Sequence, residues 1–169
     1  MLKIYYTNLG KYNEGILSGE WITLPASDEE LDALRKRTGY DEAHEEYFIT
    51  DYESSIDNLK VEEFDDIEYL NELAELIEQE PEKVEALLYF GFNTPEEIRE
   101  HMDDLYYCTT PTGCESDEEA IGYYYAEEVG CLDIPENIKS YFNYEAYGRD
   151  IMIEGNFYTA SNGDIYELA

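Results

Sequence analysis

Carboxylates are the side chains that, by number and spacing, could do chemistry in this chain. Of 169 residues 42 are Asp or Glu and only 10 are Lys or Arg, a formal charge of −32. Adjacent acids such as Asp65-Asp66 and Asp103-Asp104 have the composition of a general acid/base pair or a Mg²⁺ site. At this density of acids, however, adjacency arises by chance and one pair has little diagnostic weight. The other constellations of enzymes are missing. No GxGxxG, P-loop lysine motif, GxSxG or calcium-loop pattern occurs, and His44-Glu45-Glu46-Tyr47-Phe48 lacks the second His of a zincin helix. His44 and His101 are expected to face solvent beside carboxylates. Cys108, Cys114 and Cys131 are odd in number and contain no CxxC pair, which predicts reduced, partly buried thiols rather than a disulfide framework or a zinc site. No catalytic residue, metal or cofactor is expected, and the chain reads as a non-enzyme.

The deployment of the acids is less random than their pairing. Between Asp41 and Glu136 there are 31 acidic residues against three basic ones, Lys60, Lys83 and Arg99. A solvated helix face ordinarily interleaves Glu with Lys, because like charges at i,i+4 cost about 0.2 to 0.5 kcal/mol per pair. Solubility alone needs a net charge of only about 2 to 8 in magnitude for a small domain. Such a surface repels phosphate, which argues against direct nucleic-acid binding and against anionic membranes. Disorder is also disfavoured, since the chain is 43% hydrophobic and 15% aromatic. No secretory signal pattern and no run of 18 apolar residues occurs, which predicts a cytoplasmic protein.

The elements that must carry these acids follow from periodicity. Leu2 to Thr7, Trp21 to Leu24 and Glu46 to Tyr52 read as strands. Between the second and third, Ser27 and Glu30 form a capping box for a helix through Leu31 and Leu34, ending in Arg35-Lys36-Arg37, where cations suit the helix dipole. From Asp65 the period becomes 3.6. Ile67, Leu70, Leu73, Ala74 and Ile77 share one side of a helix, while Asp65, Glu68, Glu72 and Glu75 fall on the other. A second helix opens at Pro81, and a third is predicted from Thr94 through Ile98, Met102 and Leu105, with Glu97, Glu100 and Asp104 aligned outside.

Towards the C-terminus, Ser116 caps a helix through Ile121, Tyr124, Tyr125 and Val129, and Pro135 opens a short one through Ile138 and Phe142. Ile151 to Ile153, Asn156 to Thr159 and Ile165-Tyr166 read as strands, the last two joined by a type I′ turn at Asn162-Gly163. The fold class is α+β. We expect three small modules in a row, elongated: an α/β module over 1–60 with a three-stranded sheet, a helical module over 61–107, and an α+β module over 108–169.

Three functions suit such acidity: a decoy offering carboxylates in place of phosphates, an adaptation to high salt, and an anionic chaperone or cation buffer. Helical rows favour the first, because carboxylates one turn apart stay rigidly placed. Duplex DNA carries one charge per about 1.7 Å, so 42 carboxylates match about 71 Å or roughly 21 base pairs, and the net charge of −32 about 54 Å or roughly 16. A symmetric dimer doubles this to roughly 32 to 42 base pairs.

Asn8-Leu9-Gly10-Lys11-Tyr12-Asn13-Glu14-Gly15, Trp21, Glu46 to Glu53, and Tyr141-Phe142-Asn143-Tyr144-Glu145-Ala146-Tyr147-Gly148-Arg149-Asp150 together resemble the ArdA antirestriction proteins. The resemblance implies a DNA mimic carried by conjugative transposons and plasmids. It implies binding to the DNA groove in the methyltransferase core of type I restriction-modification enzymes, three small domains in a row, and a homodimer formed through the C-terminal module. The phosphate-mimicking acids are expected to be Asp65, Glu68, Glu72, Glu75, Glu97, Glu100, Asp104, Asp117 and Glu118. Tyr124, Tyr125 and Ile121 are the expected dimer contacts. Arg149 is expected to pair with Asp150 or Glu145 as a structural cation. The alternative is an acidic interaction protein that binds another basic DNA-binding partner.

Overall fold

A computed structural model describes all residues from Met1 to Ala169. It contains both helices and strands in quantity, an α+β chain as the periodicities imply. Contacts divide it into two compact units. One comprises Met1–Pro81 with Asn93–Glu96, the other Glu82–Phe92 with Glu97–Ala169.

In the first unit, β1 (Leu2–Asn8) is the central strand of an antiparallel sheet, flanked by β2 (Gly19–Leu24) and β3 (Tyr47–Ser54). A register shift between Tyr5 and Tyr6 marks a bulge against β3. A short helix α1 (Leu9–Asn13) follows β1, capped by the fully buried Asn8, whose side chain accepts from the Lys11 amide at 3.0 Å. Helix α2 (Asp28–Arg37) carries the expected capping box in full, with Ser27 Oγ accepting from the Glu30 amide and Glu30 Oε2 accepting from the Ser27 amide. Leu2, Ile4, Leu24, Leu31 and Leu34 are buried. Helix α3 (Ile67–Gln79) is fixed to the end of β2 by Asn71, which accepts from the Ala26 amide and donates to its carbonyl, both at 2.9 Å.

The second unit holds most of α4 (Pro81–Tyr89) and α5 (Pro95–His101), then a sheet in which β6 (Ile165–Leu168) lies between β4 (Leu105–Thr109) and β5 (Asn156–Thr159). Helices α6 (Asp117–Tyr123) and α7 (Tyr144–Glu154) complete it. They cross at two glycines. A Cβ on Gly148 would lie 1.8 Å from the Glu118 carbonyl oxygen, and one on Gly122 would lie 1.9 Å from that of Tyr144. Backbone contact of this kind admits no side chain. Cys108, Ala120, Ile121 and Ile165 form the centre of the core, with Ile151, Met152 and Phe157 packed against them.

Four local expectations are corrected. The helix expected to run through Leu105 ends at His101 and passes through a 3-10 turn, and Leu105 instead starts β4. The run Leu-Tyr-Tyr-Cys-Thr is rich in aromatics and pairs with β6, so pairing overrides the helical period of Ile98, Met102 and Leu105 at its last member. Ile151 to Ile153 belongs to α7 rather than to a strand, with Ile151 and Met152 turned to the core and Ile153 exposed. Periodicity cannot separate a short apolar run in a strand from one in a helix. The helix expected after Pro135 is one 3-10 turn, Lys139–Tyr141. The β5–β6 hairpin forms, but φ is positive at Gly163 alone, and the Gly163 amide donates to the Ala160 carbonyl, so the turn is not type I′.

Candidate functional site

The acids of the first unit lie along α3 and the segment before it. From Val61 to Glu82 there are ten acidic residues and no Lys or Arg. Asp66 caps α3, accepting from the amides of Glu68 and Tyr69. Asp65 is half-buried and accepts from the Glu62 amide at 2.8 Å. Leu70, Leu73, Ala74, Leu76 and Ile77 are buried, while Glu68, Glu75 and Glu78 are exposed and Glu72 is half-buried. Glu68, Glu72 and Glu75 therefore share the outer side as expected, with Glu78 extending the row by one turn, whereas Asp65 precedes the capping Asp66 and lies off the helix, in the turn it closes with Glu62. No cation stands in the last turn to complement the dipole, and Glu78 and the capping Glu80 crowd that negative end.

In the second unit Glu97 and Glu100 are exposed on α5. Asp104 lies beyond the helix and pairs with His101 Nδ1 at 2.8 Å, while the imidazole stacks on Phe92. Asp117 accepts from Thr159 Oγ1 at 2.7 Å, and it stands with Glu118 and Glu119 in the first turn of α6, where the helix dipole favours them. The expected acids thus form three local groups: Asp65 to Glu75, Glu97 to Asp104, and Asp117-Glu118. Several have structural duties of their own.

Two carboxylate environments escape a reading of charge alone. Glu85 is 1% exposed on α4, where its carboxylate accepts from Tyr158 Oη (2.9 Å), the Ser161 amide (2.7 Å) and Ser161 Oγ (2.7 Å), tying the helix to the β5–β6 hairpin. The run Ala86-Leu87-Leu88 after Val84 signals a helix apolar nearly all round, and so a buried one. His44, expected in solvent, is largely enclosed. Asp41 Oδ1 lies 2.6 Å from Nδ1 and Glu14 Oε1 lies 3.0 Å from Nε2, and these two carboxylates raise the imidazole pKa, Glu14 most.

Ile121 is fully buried in the core of the second unit, so its side chain is unavailable to a partner. Tyr124 and Tyr125 are half-buried, edge-to-face with each other, and Tyr125 donates to Glu167. Cys108 is buried and its thiol pKa is pushed up to about 12 by desolvation, while Cys114 is half-buried and Cys131 exposed. Arg149 is exposed and pairs with neither Asp150 nor Glu145, because side chains adjacent or four apart on α7 can all extend into solvent. No group of three His, Cys, Asp or Glu side chains is arranged to hold a metal ion.

The family model of the antirestriction protein ArdA matches residues 4–166. The chain belongs to the ArdA antirestriction family. Membership gives it an antirestriction function, directed against restriction enzymes. No curated protein sequence matches it. The strings that suggest ArdA in the sequence serve the fold. Asn8 is the buried cap of α1, also donating to the His44 carbonyl and Tyr47 Oη, and Gly148 of Glu145-Ala146-Tyr147-Gly148-Arg149-Asp150 is the crossing point of α7 on α6. The acids that would face a partner lie mostly between those strings. No helix of this ArdA protein is long and apolar enough to cross a membrane.

Proposed function

We propose that this ArdA protein inhibits type I restriction-modification enzymes as a non-catalytic DNA mimic, its carboxylates occupying the groove of the methyltransferase core where duplex phosphates otherwise lie. The observation that carries the reading is α3: an outer face of Glu68, Glu72, Glu75 and Glu78 within a stretch of 22 residues that contains no cation. Cβ atoms one turn apart on such a face are about 5 to 6 Å from each other, close to the spacing of successive phosphates along a strand. A rigid helix holds that pattern without the ordering cost a flexible acidic tail would meet on binding.

The same proposal includes a homodimer made through the C-terminal region. Its support is the exposed apolar side chains of that region, Tyr141 at 86% and Ile153 at 75%, and the partial exposure of Tyr124 and Tyr125. Modules breaking near residues 60 and 107, a cytoplasmic site of action and carriage on conjugative elements belong to it as well.

The test is competition between the full chain and a labelled target duplex for a purified type I methyltransferase core. The expected result is displacement of the duplex at micromolar concentration in low salt, weakening as salt rises. Failure to displace it under those conditions sinks the reading and leaves another basic DNA-binding protein as the partner. No single acid of the row should be essential. Abolition of inhibition by one Glu→Gln change in a folded protein would indicate a discrete site instead.

A further inference from the structure

The outer face of the first sheet carries a notch that the acidic helices do not explain. Tyr5, at the centre of β1, stands opposite Trp21 of β2 on one side and opposite Asp51 of β3 on the other, so the three side chains form one row across the sheet. The Tyr5 and Trp21 rings meet edge to face at 5.4 Å. The Tyr5 ring reaches over residue 19 because that residue is glycine: a Cβ there would come within 2.8 Å of the ring. Tyr12, Leu17 and Thr50 complete a recess of about 400 Å³. Its rings are not core, for Trp21 is 44% and Tyr12 51% exposed.

Charge says what the recess suits. Of the acids on and beside this sheet, Glu20 is matched by Arg37 at 2.8 Å and Glu53 by Lys3 at 3.6 Å. Asp51 has no cationic partner; its Oδ1 accepts only from the neighbouring Tyr52 amide at 2.8 Å. A carboxylate left unmatched beside the electron-rich faces of Trp and Tyr attracts a cation twice over, by charge and by the ring quadrupole. Arg answers best, since its planar guanidinium stacks on a ring while its edge pairs with a carboxylate. An anion or a phosphate surface would be repelled by the same groups.

We propose that this notch takes a basic side chain of the partner protein, preferentially an arginine, stacked on Trp21 and Tyr5 with its guanidinium paired to Asp51. The proposal rests on the preceding reading only in that the partner is basic. It gives the chain a directional contact beside a diffuse one, fixing how the partner is seated rather than how strongly it is attracted.

Trp21 is the one tryptophan of the chain and so reports its own site. The full chain is titrated with Nα-acetyl-arginine amide and, separately, with the neutral Nα-acetyl-citrulline amide, following Trp21 fluorescence and its indole N–H resonance. A saturable response to the arginine compound alone is expected, weakened about five-fold by Asp51→Asn and unchanged by Glu75→Gln, which removes one charge from α3. An equal response to citrulline, or equal weakening by the two variants, overturns the proposal. So does a Trp21 signal that changes when the protein alone is diluted, because a second copy would then cover the face. No restriction enzyme is present in this measurement. Displacement of the duplex without an arginine response fails the notch alone, and an arginine response without displacement fails the inhibitor reading alone.

Discussion

Helices α2 and α3 sit in the same unit and use charge in opposite ways. In α2 the acids Asp28, Glu29 and Glu30 occupy the first turn and the cations Arg35, Lys36 and Arg37 the last. Arg35 pairs with Asp32 on its own helix, and Arg37 pairs with Glu20. The charges at both ends of α2 complement its dipole. In α3 Glu68, Glu72, Glu75 and Glu78 follow one another at three- and four-residue spacings, and the C-terminal end has no cation. Three like-charge pairs cost about 1 kcal/mol together. Burial of Leu70, Leu73, Leu76 and Ile77 contributes about 1.5 to 3 kcal/mol for each side chain. The apolar face outweighs the repulsion severalfold, and the outer face is thereby released from serving the helix. It can be written for a partner.

The largest expected effect separates the two helices directly. Changing Glu68, Glu72 and Glu75 together to Gln should lower affinity for the methyltransferase core by about 10- to 100-fold in low salt and flatten the log–log salt slope by about 2 to 3. Its melting temperature should hold or rise. Neutralising Asp28, Glu29 and Glu30 should do the reverse, lowering the melting temperature with little effect on competition. Equal losses of competition from both would erase the distinction between the helices. Glu85 tests a third use of acid, as a buried joint. Glu85→Ala leaves the Tyr158 hydroxyl and both Ser161 donors without their acceptor and should cost about 3 kcal/mol by urea denaturation, with Glu85→Gln recovering part of it.

The contrast between the helices is legible in the sequence, since capping residues and amphipathic periods are local. The existence of α2 and α3, the capping box of Ser27 and Glu30, the buried stripe of Leu70, Leu73, Ala74 and Ile77, and the exposed Glu68 and Glu75 follow from spacing alone. What is not legible depends on partners distant in the chain. Leu105 becomes strand because β6, some sixty residues later, pairs with it. Ile151 to Ile153 becomes helix because Gly148 lets α7 lie directly on α6. His44 is enclosed by Glu14, thirty residues away. The acids themselves are equally ambiguous as letters: Glu72, Asp104, Asp117 and Glu85 look alike in sequence, and only packing separates a surface charge from a hydrogen-bonded strut.

Smaller effects refine the comparison from each side. On α2, Ser27→Ala removes the cap and should cost about 1 kcal/mol in a denaturation measurement at neutral pH. The Glu30 carboxyl is held below its ordinary pKa chiefly by the Ser27 amide and then by its hydroxyl. That contribution is complete above the ordinary carboxylate range and is lost as pH falls through the lowered value. The residue-27 amide survives in the variant, so the gap between parent and variant should narrow in acid only by the share of the hydroxyl's bond to the Glu30 carboxylate, while the loss of the cap on the Glu30 amide persists.

On α3, a stabilising change should weaken function. Glu75→Lys turns the repulsive pairs with Glu72 and Glu78 into attractive ones, worth about 0.2 to 0.5 kcal/mol each. The variant should unfold at slightly higher urea concentration than the parent and compete less well with the duplex. A helix selected for its own stability would show no such opposition, because its charges would already be placed to complement its dipole, as they are in α2. Higher stability with undiminished competition would place the binding surface elsewhere and leave the row on α3 without a purpose for its repulsion.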